Sequence, residues 1–275
     1  MKPAAFDYLK PASVEEALRA LAAEGEGARL LAGGQSLAPM LNMRLVQPAL
    51  LIDIAGLSAL DRIEDDGKAL VIGAAMTQAR LQARPGLERE VPLLAQALPW
   101  VGHYQTRNRG TVCGSIAHAD PSAELPLCLV ALEGAVGLRS ARGRRQVPAQ
   151  SFFEGVLSTA RQPEEMIEFV RFPKKSPGVG HAFREVALRH GDFALAAIAV
   201  IASAERLRIA VGGAADRPVA RDFPLLTGDA LDRALNDFAW SLEARDDQHA
   251  TASYRRSLVR HVGREAVEEA MRCRD

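Results

Sequence analysis

The sequence predicts an α+β fold, and three observations carry the prediction. Strand-like and helix-like segments mix irregularly along the chain instead of alternating as βαβ units. A strong hairpin signal, Asp66-Gly67, separates two short runs at 62–64 and 69–73. Two helical segments close the chain, at 230–242 and 253–272.

The elements follow in order. Ser13-Val14-Glu15-Glu16 reads as a capping box, in which the Ser13 hydroxyl accepts from the Glu16 N–H and the Glu16 side chain reaches back. Val14, Ala17, Leu18 and Leu21 then share one helical face, and Gly25 stops the helix. Leu30-Leu31-Ala32 predicts a buried strand that ends abruptly at Gly33-Gly34-Gln35-Ser36. A second strand is expected at 50–54, and Thr77 caps a short helix running toward Arg84. Residues 93–100 read as helical, 110–120 as a small-residue loop, and 124–133 as a helix stopping at Gly134.

Two short strands flank Arg142-Gly143-Arg144-Arg145, a basic turn read as solvated and without function. A strand at 166–172 ends at Pro173, and the breaker-rich Lys174-Lys175-Ser176-Pro177-Gly178 marks a domain boundary. Beyond it, 181–188, 195–204 and 207–211 read as successive strands. On the last helix, Tyr254, Leu258, Val262, Ala266 and Ala270 step by four and mark one face.

Composition narrows the function. The chain has 275 residues, long for a single core and suited to two modest domains. Its formal net charge is zero, which gives no sign of nucleic acid or an acidic membrane surface as a partner. No apolar run reaches the roughly 18 residues of a membrane span, and residues 1–10 contain no apolar signal core, so a cytoplasmic protein is expected. The three cysteines, Cys113, Cys128 and Cys273, form no C-x-x-C pair and fall short of the four thiolates an iron–sulfur cluster usually takes. The six histidines are dispersed, so no tightly bound metal is expected.

Two segments can carry chemistry. A strand that stops in Gly33-Gly34 lets an anion approach the main chain, where successive N–H groups form a concave nest. Ser36 adds a hydroxyl and Gln35 an amide. The second segment, Thr111-Val112-Cys113-Gly114-Ser115, again gathers small and hydroxyl residues. Two donor loops suit a long dinucleotide diphosphate better than one, although a ligand-free turn explains either alone. No G-x-G-x-x-G and no P-loop sequence occurs, which disfavours the common nicotinamide fold and the phosphate loop of nucleotide triphosphatases.

Four segments taken together, Ala32-Gly33-Gly34-Gln35-Ser36, Thr111-Val112-Cys113-Gly114-Ser115, Asp120-Pro121-Ser122-Ala123-Glu124-Leu125-Pro126 and Arg189-His190-Gly191-Asp192-Phe193-Ala194, resemble the FAD-binding medium subunit of molybdenum hydroxylases, of the carbon monoxide dehydrogenase and xanthine dehydrogenase type. The resemblance runs over nearly the whole chain. It implies a two-part FAD-binding domain of the vanillyl-alcohol-oxidase type at 1–174, split near residue 56. A small C-terminal α+β domain with a three-stranded sheet follows at 175–275. It also implies that Ala32, Gly33, Gly34, Gln35, Ser36 and Leu37, with Thr111, Cys113, Gly114 and Ser115, hold the FAD diphosphate. Glu124 matches an acidic position near the ribose and adenine end, and Asp192 and Phe193 match a segment beside the isoalloxazine ring. Cys113 stands where the family more often has glycine; a positive φ there would cost a cysteine roughly 1–2 kcal/mol.

By the same resemblance the chain is an electron-transfer subunit. It would take electrons from the [2Fe–2S] clusters of a small subunit, downstream of a large molybdenum cofactor-binding subunit, in a dimer of heterotrimers (a heterohexamer). That role needs no catalytic acid–base pair, and none is found. Two alternatives are a stand-alone flavin oxidase, for which His103 and Cys113 are candidates for a covalent flavin link, and a structural subunit that has lost FAD. Cys113 is read as a packed side chain rather than a redox thiol. His118 beside Asp120, and Arg189 with His190, stay open between a structural and a flavin-tuning role, and Trp100 and Tyr104 are read as core packing.

Overall fold

The computed structural model describes residues 2–274 and contains three principal sheets. The first is built from β1 (Asp7–Leu9), β2 (Ala28–Leu31) and β3 (Leu50–Asp53), all parallel, in the order β1-β3-β2. Two helices interleave with these strands, α1 (Val14–Glu24) and α2 (Leu37–Asn42). The α1 helix buries the four apolar residues of its expected face. The Ser13 hydroxyl accepts from the Glu16 N–H at 3.1 Å, while the Glu16 carboxylate reaches one residue past the cap, to the Ala12 N–H at 2.7 Å.

The second sheet is antiparallel. It opens with the hairpin β4 (Ile63–Asp65) and β5 (Ala69–Gly73), turned at Gly67 with φ +84°. Six helices follow: α3 (Gln78–Gln82), α4 (Leu87–Glu90), α5 (Pro92–Ala97), α6 (Tyr104–Arg109), α7 (Val112–His118) and α8 (Glu124–Ala131). The chain returns through β6 (Ala135–Ser140), β7 (Gly143–Pro148), α9 (Ala149–Phe152), the small hairpin β8 (Phe153–Gly155) and β9 (Ser158–Thr159), and β10 (Met166–Pro173). The sheet order is β4-β5-β10-β6-β7. Where a loop was expected at 110–120, α7 forms. Thr111 supplies its N-cap, and that hydroxyl signal was hidden among the small residues around it. The basic turn is not merely solvated either. Arg144 pairs with Glu168 at 2.9 Å and Arg145 with Glu165 at 2.7 Å, so the row binds β7 to the segment that opens β10.

The third sheet is antiparallel, in the order β11 (Gly180–Val186), β12 (Ala196–Ala202), β13 (Arg206–Gly212) and β14 (Val219–Pro224). It has four strands, not the expected three. The fourth is an exposed edge, Val-Ala-Arg-Asp-Phe-Pro, whose charged residues and terminal proline hide a strand pattern. Helices α10 (Gly228–Ser241) and α11 (Ala252–Arg272) complete a separate small core with the sheet. The buried stripe of α11 is Arg255, Val259, Val262, Gly263, Ala266, Val267 and Ala270, while Tyr254 is exposed. Strict steps of four overshoot a 3.6-residue turn by about 40° each, so the expected line of residues drifts off the face.

All eight residues of α8 are buried. The helix packs on β12 and β13, and Arg208 of β13 donates to the carbonyls of Ala131 (3.1 Å) and Val130 (3.4 Å), satisfying acceptors that the helix end leaves open.

Candidate functional site

The turn after β2 is shaped by what its glycines lack. A β-carbon on Gly33 would lie 2.2 Å from the Arg109 carbonyl oxygen and 2.7 Å from the Gly110 α-carbon, so this backbone rests directly on the end of α6. Gly34 has φ +71°, a conformation that side chains resist. Among the described residues, none accepts from the backbone N–H groups of Gly34, Gln35 or Ser36. Ser36 occupies the cap position of α2 without its hydroxyl capping the helix. The Gln35 amide turns inward and donates to the Gly33 carbonyl at 3.0 Å, bracing the turn. Ala32 and Leu37 flank the turn half-buried. Adjacent donors with no internal acceptor fit an anionic ligand of the diphosphate kind.

The facing segment is held by buried side chains. The Thr111 hydroxyl accepts from the Gly114 N–H at 3.0 Å, and the Ser115 N–H closes onto the Thr111 carbonyl at 3.2 Å. A β-carbon on Gly114 would sit 2.7 Å from that hydroxyl, so glycine lets the hydroxyl lie close over the first turn. Cys113 is 3% exposed, lies in α7 without a positive φ, and donates its thiol to the Ile72 carbonyl at 3.4 Å. The strain of a cysteine at positive φ is therefore absent. Burial pushes the Cys113 thiol well above its usual range, which removes the thiolate a redox or nucleophilic role needs. Gln78 ties this segment down from behind, donating its backbone N–H to the Gly110 carbonyl at 2.9 Å.

The six-residue α6, about 9 Å long, links these loops to a second group of expected residues. Gly110 at its C-terminal end touches the Gly33 turn. Beyond its N-terminal end, Gly102 and His103 receive the turn at 189–193. A β-carbon on Gly191 (φ +87°) would fall 2.7 Å from the His103 ring. Asp192 pairs with Arg189 at 2.9 Å, and His190 stacks obliquely on Trp100 with centroids 5.3 Å apart. Phe193 is 66% exposed, and Tyr104, expected in the core, is 67% exposed. Nothing in adjacent residues signals that Trp100 and His103 carry this turn, because their partners lie some 90 positions away.

Glu124 opens α8 and is 8% exposed. Burial raises its pKa to about 7, with Asp120 adding to the rise and Arg107 of α6 opposing it. Asp120 itself accepts from the Ser122 N–H at 2.8 Å and sets the turn into α8. Burial lowers the pKa of the His118 imidazole, with Asp120 pulling the other way. Thus the structure brings Gly33, Gly34, Ser36, Thr111 and Gly114 together at one end of α6. Glu124 stands within the field of that helix, and Asp192 and Phe193 lie at its other end.

Among the described residues, no helix is long and apolar enough to cross a membrane, and no cluster of three or more His, Cys, Asp or Glu residues is arranged to hold a metal ion. Residues 4–175 match the family described as the FAD binding domain in molybdopterin dehydrogenase. The chain is 38% identical to the nicotine 6-hydroxylase medium subunit of Paenarthrobacter nicotinovorans, over 98% of this chain and 99% of that one. Among solved structures it resembles a carbon monoxide dehydrogenase chain from Hydrogenophaga pseudoflava (34% identity, TM-score 0.93, 99% of this chain and 100% of that one). It also resembles a chain of quinoline 2-oxidoreductase from Pseudomonas putida 86 (33% identity, TM-score 0.92, 99% of each).

Proposed function

The chain belongs to the family of FAD-binding domains of molybdopterin dehydrogenases, and from that premise we propose that it is the medium, electron-transferring subunit of a molybdenum hydroxylase complex. It is an oxidoreductase component that binds FAD. In this reading it works beside a large molybdenum cofactor-binding subunit and a small [2Fe–2S] subunit, in a dimer of heterotrimers in the cytoplasm. Relatives named as medium chains or medium subunits, matched along nearly their full length, support that assembly.

The observation that carries the reading is the apposition of two small-residue loops through Gly33 and Gly110, with unspent N–H donors on one side. The residues of Ala32 through Leu37 would grip the diphosphate from β2. Thr111, Cys113, Gly114 and Ser115 would form the opposing wall, with Ser115 presenting its hydroxyl and Thr111 and Cys113 fixing the backbone. Glu124 would accept hydrogen bonds from ribose hydroxyls, and Asp192 and Phe193 would border the flavin ring. When bound, FAD supplies a store for two electrons that can be filled and emptied singly. The chain would orient that store between a cluster in the small subunit and an external acceptor. We also assign residues 1–174 to a two-part domain of the vanillyl-alcohol-oxidase type, split near 56, and 175–275 to the C-terminal domain. The change of sheet after Asp53 and again before Gly180 supports these divisions.

The test is a titration of the purified chain with FAD, followed by affinity purification from cells expressing the neighbouring reading frames. Stoichiometric binding, and recovery of a molybdenum subunit and a [2Fe–2S] subunit, are expected. A chain that binds no FAD refutes the cofactor role. One that binds FAD, oxidises a substrate unaided and recovers neither partner is a stand-alone oxidase.

A further inference from the structure

Glu185 lies in β11 and is 9% exposed, and both of its carboxyl oxygens are buried without a hydrogen-bond partner. Side chains alternate along a strand. Phe183 joins the large core beneath α5 and α8, whereas Ala182 joins the small core under α11. Glu185 shares the Phe183 face, and its ladder neighbour on β12 is Ala197, in that same large core. Arg184, on the opposite face, is spent on Glu269 of α11 at 2.8 Å. Glu185 is thus wedged between the third sheet and the helices, within reach of the Glu124 charge.

Among the described residues, no cation is in direct contact with Glu185. From α8 come Glu124 and Cys128, whose buried thiol feels both carboxylates. Asp120, ahead of α8, and Arg107, on α6, act on Glu124. The apposed part of the sheet presents Ala197, Ala199 and Ala210. On α5, Gln96 is already engaged, accepting from the Phe183 N–H at 2.8 Å and donating to the His181 carbonyl at 3.3 Å. His181, four residues back on the same face, is held neutral by burial, its pKa lowered to about 4, with Lys175 adding to the effect. An isolated carboxylate in such a place is costly, and a neutral carboxyl is the cheaper form.

We infer that Glu185 is a positioning residue for the cofactor site, holding a proton behind Glu124 so that the pair presents one negative charge, not two, to the dinucleotide. This rests on the assignment of Glu124 to the FAD site. Burial, with the Glu124 charge adding, raises the Glu185 pKa to about 8, above the value of about 7 for Glu124. Raised pKa values mean that the proton is lost as pH climbs. Glu124, which feels Arg107, is the member that ionises and serves as acceptor, and Glu185, with neither oxygen partnered, is the member that keeps the proton. Above both pKa values a second buried charge opposes an anionic ligand.

The experiment is FAD affinity of the full-length apoprotein between pH 6.5 and 9, for wild type and Glu185→Gln, whose amide stays uncharged and keeps a donor. Wild-type affinity is expected to weaken about tenfold between pH 7 and pH 9, and Glu185→Gln to lose that decline while keeping the change near pH 7 that comes from Glu124 itself. Wild-type affinity that is flat with pH overturns the inference and leaves the FAD reading standing, as does a Glu185→Gln profile that follows the wild-type decline. Absence of FAD binding at every pH overturns both. Infrared spectra of the wild type and of Glu124→Gln supply a second measurement should Glu185→Gln not fold. A protonated-carboxyl C=O band present at pH 7, retained in Glu124→Gln and lost toward pH 9 supports the inference, and no such band at pH 7 overturns it.

Discussion

The turn after β2 and the turn into α7 lean on each other, yet different forces shape them. At Gly33 and Gly34 the conformation exists because side chains are missing: one glycine rests against the Arg109 carbonyl and the other adopts φ +71°. At Thr111–Ser115 it exists because side chains are present, with a capping hydroxyl at 3.0 Å and a buried thiol behind it. The first turn keeps its N–H groups free, while the second has spent the Gly114 N–H on its own cap. A gripping surface and a rigid wall against it are thus built from the same residue types by opposite means.

Substitutions test this contrast, starting where the effect is largest. Gly33→Ala forces a methyl against backbone that cannot yield without parting the two loops. FAD affinity should fall by more than about a hundredfold, and stability by about 3 kcal/mol, read by titration and by denaturant unfolding. Gly34→Ala meets open space apart from Leu31, and pays only for its φ, so roughly 1–2 kcal/mol of stability is expected to go. Should it cost as much as Gly33→Ala, the two glycines do not have separate roles. Thr111→Ala removes the cap of α7 and should cost about 1 kcal/mol, with Thr111→Ser restoring most of it. Smallest of all is the effect expected at Cys113. Thiol labelling of the native protein should modify exposed Cys273 and spare Cys113 and Cys128, with all three reacting only after unfolding. Fast labelling of Cys113 in the folded chain would show that the wall is not rigid.

The sequence already displays the α1 cap, the Asp66-Gly67 hairpin and the strand that halts at Gly33, because each is written in adjacent residues. The glycine pair was legible as a turn, but its cause at Gly33 was not: the obstructing atom belongs to Arg109, 76 positions away. Cys113 looked like a fault in a glycine loop because the pattern does not reveal that α7 begins at Val112, which makes a negative φ natural there. The edge strand β14 was missed for the opposite reason. Its exposed, charged sequence follows from having a neighbour on one side only. Glu185 left no trace either, since a lone glutamate in a strand is ordinary until the burial of both its oxygens is known.

The wholly buried α8 has a consequence for how the protein can be divided. One of its walls is the third sheet, and the carbonyls at its end are satisfied by Arg208 from that sheet. A chain cut after residue 174 would leave this helix with a bare apolar flank and open acceptors at the same time. The C-terminal hundred residues are therefore better regarded as the missing half of a shell than as an appendage, and a shortened flavin-binding fragment should be insoluble unless a substitute surface is supplied to it.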